Sequence, residues 1–229
     1  MLRLEQVAMR YDEGPEVLRN VDLTLRRGEF VFVMGPSGAG KTSLLRLLAL
    51  LHRPSAGRLR MFDQDVTHLS QDRLATLRRR IGVIFQDMRL LDHLSVFDNA
   101  ALPLRITGGR DEQLGGAVLE MLTWLGLGEV VDAKPDDLSM GQRQLVSVTR
   151  AVITRPSLLL CDEPTANIDR KLARRLIHLF VQLSRLGTTV VLATHSDDLV
   201  QRFPHPTLRL AGGRLCGPTP GPPALAAAD

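Results

Sequence analysis

The stretch Gly35-Pro36-Ser37-Gly38-Ala39-Gly40-Lys41-Thr42 matches the pattern GxxxxGK[ST] at every fixed position. It follows the apolar run Phe30 to Met34, which predicts a strand, and precedes a leucine-rich segment, which predicts a helix. Glycines here let successive backbone N–H groups face one anion, and the helix that follows presents the positive end of its dipole to the same anion. The stretch therefore predicts a phosphate-binding loop.

Two side chains at the end of this loop have expected roles. Lys41 is expected to reach the β and γ phosphates of a nucleotide, and Thr42 to hold Mg²⁺. A plain glycine turn that caps a helix is the alternative, but only three of the 29 basic residues are lysines, which argues against chance. From Thr42 to Leu51 leucines occupy nearly every face, which predicts a helix buried in a core.

The composition is that of an ordinary folded protein. The chain has 229 residues, 44% of them apolar and 24% charged, so one large domain with its own core fits and disordered or fibrous classes do not. Cys161 and Cys216 form no CxxC pattern, which argues against structural zinc and predicts free thiols. Gly217 to Asp229 is rich in Pro and Ala and is expected to be a disordered tail.

Charge and hydropathy argue against two further classes. The net charge is +4, but the arginines are scattered, so no nucleic-acid binding is expected. No stretch approaches 18 uncharged apolar residues, and the N-terminus lacks the apolar core of a signal peptide. Membrane contact is therefore expected only through a partner.

The order of the apolar runs predicts the fold class. The first 34 residues alternate as strands, and Ser157 to Cys161 and Thr188 to Ala193 are short continuous apolar runs typical of strands covered on both faces. Arg170 to Leu186, between those runs, has helical periodicity, and Asp98 to Leu127 is leucine-rich at helical spacing. We expect an α/β fold with a mostly parallel sheet whose halves flank a helical insert.

Two carboxylates follow the buried strand at Ser157 to Cys161. Strand ends in open α/β sheets line the ligand crevice, so Asp162 is suited to the Mg²⁺ shell and Glu163 to positioning or deprotonating the water that attacks the γ phosphate. An acid pair that stabilises a helix start before Pro164 is the alternative.

A second anion site is predicted in Leu138-Ser139-Met140-Gly141-Gln142. Ser139 with Gln142 three residues later is a capping box, which alone only starts a helix running through Arg150. A capped helix start beside glycine can also bind an anion.

The order of these motifs resembles the nucleotide-binding subunit of the ABC ATPase superfamily over about residues 1–215. The resemblance implies an ABC ATPase domain at 1–216, with a P-loop NTPase (RecA-like) core at about 1–87 and 155–216. It also implies an antiparallel β subdomain and an inserted α-helical subdomain at about 88–154. The implied reaction is hydrolysis of ATP to ADP and phosphate with Mg²⁺ as cofactor.

The resemblance also implies roles for single residues. Tyr11 would stack on adenine, Gln86 would lie near Mg²⁺ and the water, and Asp169 would form the D-loop. His195 would contact the γ phosphate. An edge-strand Tyr11 and a core His195 are the alternatives. The full prediction is catalysis by Glu163, His195, Gln86 and Lys41; Mg²⁺ binding by Thr42, Gln86 and Asp162; and nucleotide binding by Tyr11, Gly35, Pro36, Ser37, Gly38, Ala39, Gly40, Lys41, Thr42, Ser43, Gln86, Ser139, Gly141, Gln142 and Asp169.

Partners are also implied by the resemblance. Two copies would stack head to tail, so that the signature of one chain closes over ATP held by the phosphate loop of the other. This homodimer, formed on ATP binding, accounts for two anion sites on one chain.

The segment from Ile81 to Leu104 resembles the cell-division ATPases of this family and shares much with the ATPases of lipoprotein release and macrolide efflux. It implies an integral membrane partner, an FtsX-like permease or an export permease, on the cytoplasmic side of a bacterial inner membrane. Leu90, Leu91, Leu94 and Val96 are candidate docking residues, with internal packing as the alternative.

Two residues depart from the family pattern. Met140 stands where glycine is usual and is expected to affect turnover, and Leu145 stands where arginine is often found. Met140 alone supports a third hypothesis, a non-hydrolysing nucleotide-binding regulator. A GTPase is disfavoured because no NKxD pattern is present, and a DNA-repair ATPase because the chain has no room for a long coiled coil.

Overall fold

The computed structural model describes residues 1–108 and 111–219, without the side chains of 111–114 and 217–219. Its strands form two sheets. The smaller sheet is antiparallel, with the order β2-β1-β4-β5. Its strands are β1 (Leu2–Arg10), β2 (Glu16–Leu25), β4 (Ala56–Met61) and β5 (Gln64–Asp65).

The larger sheet has six strands in the order β10-β9-β3-β8-β7-β6. They are β3 (Phe30–Met34), β6 (Ile81–Ile84), β7 (Leu158–Asp162), β8 (Thr189–Ala193), β9 (Thr207–Ala211) and β10 (Arg214–Thr219). All neighbours pair in parallel except β9 and β10. The central strands β3, β7 and β8 are buried along their whole length, which confirms the predicted parallel sheet covered on both faces.

Seven α-helices occur in the described ranges: α1 (Lys41–Leu48), α2 (Gln71–Arg78), α3 (Val96–Ile106), α4 (Asp111–Trp124), α5 (Met140–Val152), α6 (Arg170–Arg185) and α7 (Asp197–Arg202). Two short 3-10 helices, Gly128–Val130 and Pro135–Asp137, precede α5. Side chains cap several starts, as where Ser95 accepts from the N–H of Asp98 and Asp169 from those of Lys171 and Leu172. α1 ends at Leu48, before the predicted Leu51, because Leu50 takes a left-handed φ of 59°.

Two apolar cores lie on opposite faces of the larger sheet. One face, with Val31, Leu160 and Val191, packs against α1 and the antiparallel sheet. The other, with Phe32 and Leu159, packs against helices that include α5 and α6. α1 lies between the two sheets, which explains why leucines occur nearly all round it.

The C-terminal segment differs in part from the sequence prediction. Strand β10 includes residues 217–219, which the sequence placed in the tail, because Thr219 pairs with Thr207 in β9. The rest of that predicted tail, 220–229, lies outside the described residues. Both cysteines are free, as predicted. No described helix is long and apolar enough to cross a bilayer. The proposed division into core and inserted subdomain stays a prediction.

We predict that Leu176→Ala lowers the free energy of unfolding by about 3 to 5 kcal/mol, because Leu176 on α6 is fully buried and its loss leaves a cavity. Urea denaturation measures this. The matched control is Leu186→Ala, which follows the same helix and is 80% exposed, so its effect should stay within about 0.5 kcal/mol. Equal losses in the two variants would contradict this packing.

Candidate active site

A cavity of about 670 Å³ lies at the carboxyl ends of β3, β7 and β8. It brings together most of the predicted site residues. Its lining comprises Val17, Gly35, Pro36, Ser37, Gly38, Gly40, Lys41, Thr42, Ser43, Gln86, Asp162, Glu163, Ala166 and His195. The phosphate-binding loop, both carboxylates, Gln86 and His195 therefore share one crevice.

The loop after β3 has the backbone geometry of an anion cradle. Gly38 and Gly40 have φ of 76° and 104°, and no atom within 4 Å would meet a Cβ on Gly38, so the loop is open there. α1 starts immediately after Gly40 with no side-chain cap. Its first N–H groups, at Lys41, Thr42 and Ser43, thus lack a side-chain acceptor while all three residues line the cavity. A phosphate group is the kind of ligand this geometry fits.

Close packing fixes the base of the loop. A Cβ on Gly35 would lie 2.2 Å from the carbonyl oxygen of Leu210 in β9, so only glycine fits. Lys41 Nζ donates to the carbonyl oxygens of Gly35 at 2.7 Å and Pro36 at 3.1 Å. The ammonium group therefore lies within the curve of the loop and adds positive charge to the cradle.

Thr42 and Asp162 form a direct polar contact across the crevice. Thr42 Oγ1 donates to Asp162 Oδ2 at 2.8 Å. Burial raises the pKa of Asp162, and the neighbouring Glu163 charge raises it further, while the Thr42 hydrogen bond and the Lys41 charge oppose the shift. Hydroxyl, carboxylate and amide oxygens from Thr42, Asp162 and Gln86 are the ligands that Mg²⁺ prefers, so the donor set fits the expected ion.

Glu163 is held from two sides. His195 Nδ1 lies 2.7 Å from Glu163 Oε1, and Thr194 Oγ1 donates to Glu163 Oε2 at 3.1 Å. The Glu163 side chain is 12% exposed, whereas His195 is 76% exposed. The backbone of Glu163 has a left-handed φ of 48° and its N–H donates to the carbonyl of Ala193. This turn aims the carboxylate into the crevice instead of along the strand.

Tyr11 and Ala39 lie beside this cavity without lining it. The Tyr11 hydroxyl is 3.0 Å from the hydroxyl of Ser43, and its ring meets His52 edge-on with centroids 4.9 Å apart. Ala39 is buried under the loop. The adenine-stacking role of Tyr11 stays a prediction.

The second predicted anion site lies outside this cavity. Ser139 accepts from the N–H of Gln142 at 3.2 Å, and Gln142 Oε1 accepts from the N–H of Ser139 at 2.9 Å. The capping box is thus confirmed. A Cβ on Gly141 would lie 2.9 Å from the carbonyl oxygen of Asn167, so the start of α5 lies against the segment that ends in Asp169. Asp169 caps α6.

Met140 and Leu145, the two residues that depart from the family pattern, differ in their exposure. Met140 is 56% exposed at the first position of α5 and shares a surface groove with Gln86. Leu145 is buried in the core, where an apolar side chain packs without an unpaired charge.

Sequence reasoning missed three residues at the site. Val17, on β2, and Ala166 line the cavity, and Thr194 holds Glu163. Thr194 could have been found because it follows β8 directly, where a strand end meets the crevice. Val17 comes from the other sheet, and nothing in its local sequence marks it.

Comparison with known proteins agrees with this geometry. The family model described as ABC transporter matches residues 18–166. The chain belongs to the ABC transporter family. It is 40% identical over 217 residues to the cell division ATP-binding protein FtsE of Escherichia coli strain K12, covering 95% of this chain and 98% of that protein. It is 41% identical over 205 residues to the methionine import ATP-binding protein MetN of Xylella fastidiosa, covering 88% of this chain and 61% of that protein.

A solved ABC structure confirms the fold. The dimeric post-hydrolysis structure of the ATP-binding cassette MJ0796, bound to ADP and Pi, superposes with a TM-score of 0.90 at 33% identity and covers 96% of this chain and 98% of that one. The expected α/β P-loop fold of the ABC type is thus confirmed. Like its ABC relatives, the chain is an ATPase.

We predict that Lys41→Ala weakens ATP binding and abolishes hydrolysis, because a charge-assisted phosphate contact is lost. Fluorescent-nucleotide titration and phosphate release measure the two effects. Lys134→Ala is the control, since Lys134 is exposed and outside the cavity, and it should behave as wild type. Wild-type affinity and turnover in Lys41→Ala would contradict the role of Lys41.

Proposed function

We propose that the chain is the ATPase subunit of a bacterial cell-division complex. In this proposal ATP binding and hydrolysis act on an FtsX-like permease, which controls peptidoglycan hydrolases across the membrane. The observation that carries it is the similarity to FtsE proteins of different bacteria, with 40% identity over 95% of this chain for Escherichia coli and 37% identity over 94% of this chain for Mycobacterium tuberculosis. The segment from Ile81 to Leu104, which resembles the cell-division ATPases, adds support for the division role.

ATP would lie with its phosphates in the loop after β3. Backbone N–H groups at the start of α1 and the Lys41 ammonium would hold the β and γ phosphates. Mg²⁺, when bound, supplies positive charge at the phosphate oxygens, and Thr42, Gln86 and Asp162 would hold it. These groups lie in one crevice, so the nucleotide can be bound without a large rearrangement.

Glu163 is the group that would orient the attacking water and take its proton. Its carboxylate is largely buried and held by Thr194 on one oxygen and His195 on the other. This two-sided support limits rotation of the carboxylate, which favours one position for the water. His195 is exposed toward the crevice, so it could also contact the γ phosphate.

The second anion site would act across a two-fold interface. Ser139, Gly141 and Gln142 lie outside the cavity of their own chain, so their use in ATP binding requires a second copy. The dimeric MJ0796 structure, bound to ADP and Pi, supports such an assembly for this chain. ATP would then join two subunits, and hydrolysis would release them.

An export ATPase is the alternative function, for lipoprotein release or macrolide efflux, and the methionine import relatives add a third transport class. All use the same catalytic cavity, so the membrane partner distinguishes them. Of the candidate docking residues, Leu91 is 38% exposed, Leu90 and Leu94 are partly buried, and Val96 is fully buried in the core. Docking is therefore proposed for the exposed turn around Leu91.

We predict that Glu163→Gln keeps ATP binding but lowers phosphate release by at least about a hundredfold, because the amide cannot accept the water's proton. Rapid-quench measurement of phosphate release tests this. Size-exclusion chromatography with ATP should show the variant as a stable dimer. Wild-type turnover in the variant would remove Glu163 from the mechanism, and a wild type that releases no phosphate would favour the regulator hypothesis.

We predict that crosslinking in cells, followed by mass spectrometry, recovers an FtsX-like permease with the wild type. Leu91→Asp should lose it, because a charge is placed in an apolar contact, while Leu186→Asp, at another exposed leucine, should retain it. Recovery of a lipoprotein-release or macrolide-type permease instead would contradict the division role and leave the ATPase assignment intact.

A further inference from the structure

We propose that Arg150 is a positioning residue that holds the turn after Gln86 onto α5. Through this turn it sets the position of Gln86 in the ATP cavity and joins that turn to the helix that begins with the Ser139 anion site. The inference rests on the proposed ATPase site and adds a residue that lies outside the cavity.

The contact is a two-pronged hydrogen bond to the backbone. Arg150 Nη1 donates to the carbonyl oxygen of Arg89 at 2.7 Å, and Nη2 donates to that of Met88 at 2.6 Å. Both acceptor residues have a left-handed φ, 54° for Met88 and 49° for Arg89. Residues other than glycine rarely adopt this backbone conformation, so the turn needs stabilising contacts from its surroundings. The Arg150 guanidinium provides such contacts at two successive carbonyls.

The turn and Gln86 form one local unit. The N–H of Met88 donates to the carbonyl of Phe85, directly before Gln86. The Arg89 guanidinium lies 4.1 Å from the centre of the Phe85 ring and pairs with Asp87 at 3.0 Å. Residues 85–89 are thus connected by contacts among themselves. A shift of the Met88 and Arg89 carbonyls would therefore move Gln86 as well.

The other end of the connection is the start of α5. Arg150 follows Ser139 by 11 residues on one continuous helix, a span of about 16 Å at 1.5 Å per residue. Because a helix transmits displacement along its axis, movement of the turn would reach the Ser139 end without passing through the ATP cavity. The surface groove shared by Gln86, Met88 and Met140 shows that the turn and this helix start are neighbours.

The chemistry of Arg150 favours a role beyond packing. No carboxylate pairs with it in the described part of the chain, and burial lowers its pKa, so keeping the charge there costs free energy. Its two acceptors are carbonyls spaced to match a planar fork. Lysine, a point charge on a flexible stem, cannot reach both in the same geometry.

The test uses Arg150→Lys with Arg78→Lys as the matched control. Arg78 donates from Nε at 3.1 Å and Nη2 at 2.6 Å to the carbonyl of Leu50, another residue with left-handed φ. Neither Arg78 nor Leu50 lines the cavity. We expect Arg150→Lys to lower kcat for ATP hydrolysis about tenfold, with a smaller effect on the ATP dissociation constant, because the loop after β3 would still hold the phosphates. Arg78→Lys should leave kcat unchanged. Arg150→Gln replaces the lysine variant if that variant does not fold.

A double-mutant cycle decides whether Arg150 acts through Gln86. In the Gln86→Ala background, Arg150→Lys should cause no further loss of kcat, because the residue it positions is gone. An additional tenfold loss in that background would overturn the inference, as would equal effects of Arg150→Lys and Arg78→Lys.

Hydrogen exchange gives a readout that does not depend on hydrolysis. Amides of residues 86–91 should exchange faster in Arg150→Lys than in wild type and not in Arg78→Lys. Unchanged exchange there would overturn the inference while leaving the ATPase proposal standing. A wild type that hydrolyses no ATP, with faster exchange in Arg150→Lys, would instead refute the proposed function and retain the positioning contact.

Discussion

The alignment of β3, β8 and β7 is the constraint on which the site depends. Val33 and Asp162 both pair with Ala193, so the three strands end side by side. The ends of these strands and the segments that follow them carry the phosphate loop, the two carboxylates and Thr194 with His195. Apolar side chains on both faces hold this register. The buried strands thus fix the positions of the catalytic and phosphate-binding segments that are attached to their ends.

Contiguous patterns made much of this arrangement predictable. The phosphate loop, the buried strands β7 and β8, the capped start of α5 and the acid pair at the end of β7 each depend on residues that are neighbours in the sequence. Contacts between distant segments were not predictable in that way. Val17 reaches the cavity from the antiparallel sheet, and Arg150 meets Met88 across 62 positions. Such contacts depend on packing, which a single sequence does not record.

Exposure separates residues that the sequence treats alike. Leu91 and Val96 belong to one apolar stretch, yet Leu91 is 38% exposed and Val96 is fully buried. Asn99 explains the difference: its buried side-chain amide accepts from the N–H of Leu91 and donates to the carbonyls of Leu91, Leu94 and Ser95. The hydrogen bonds of Asn99 thus hold the loop in a conformation in which Leu91 is exposed. Leu91 could therefore contact a partner without unfolding of the loop.

The left-handed backbone of Glu163 lowers the stability of the fold at a position where hydrolysis requires a carboxylate. A non-glycine residue at that φ costs about 1 kcal/mol or more relative to glycine. Replacement by glycine at this position would relieve the backbone strain, but it would also remove the carboxylate and its contacts with Thr194 and His195, and hydrolysis with them. A homologue with glycine there is expected to keep the fold and to associate in response to nucleotide without hydrolysing it.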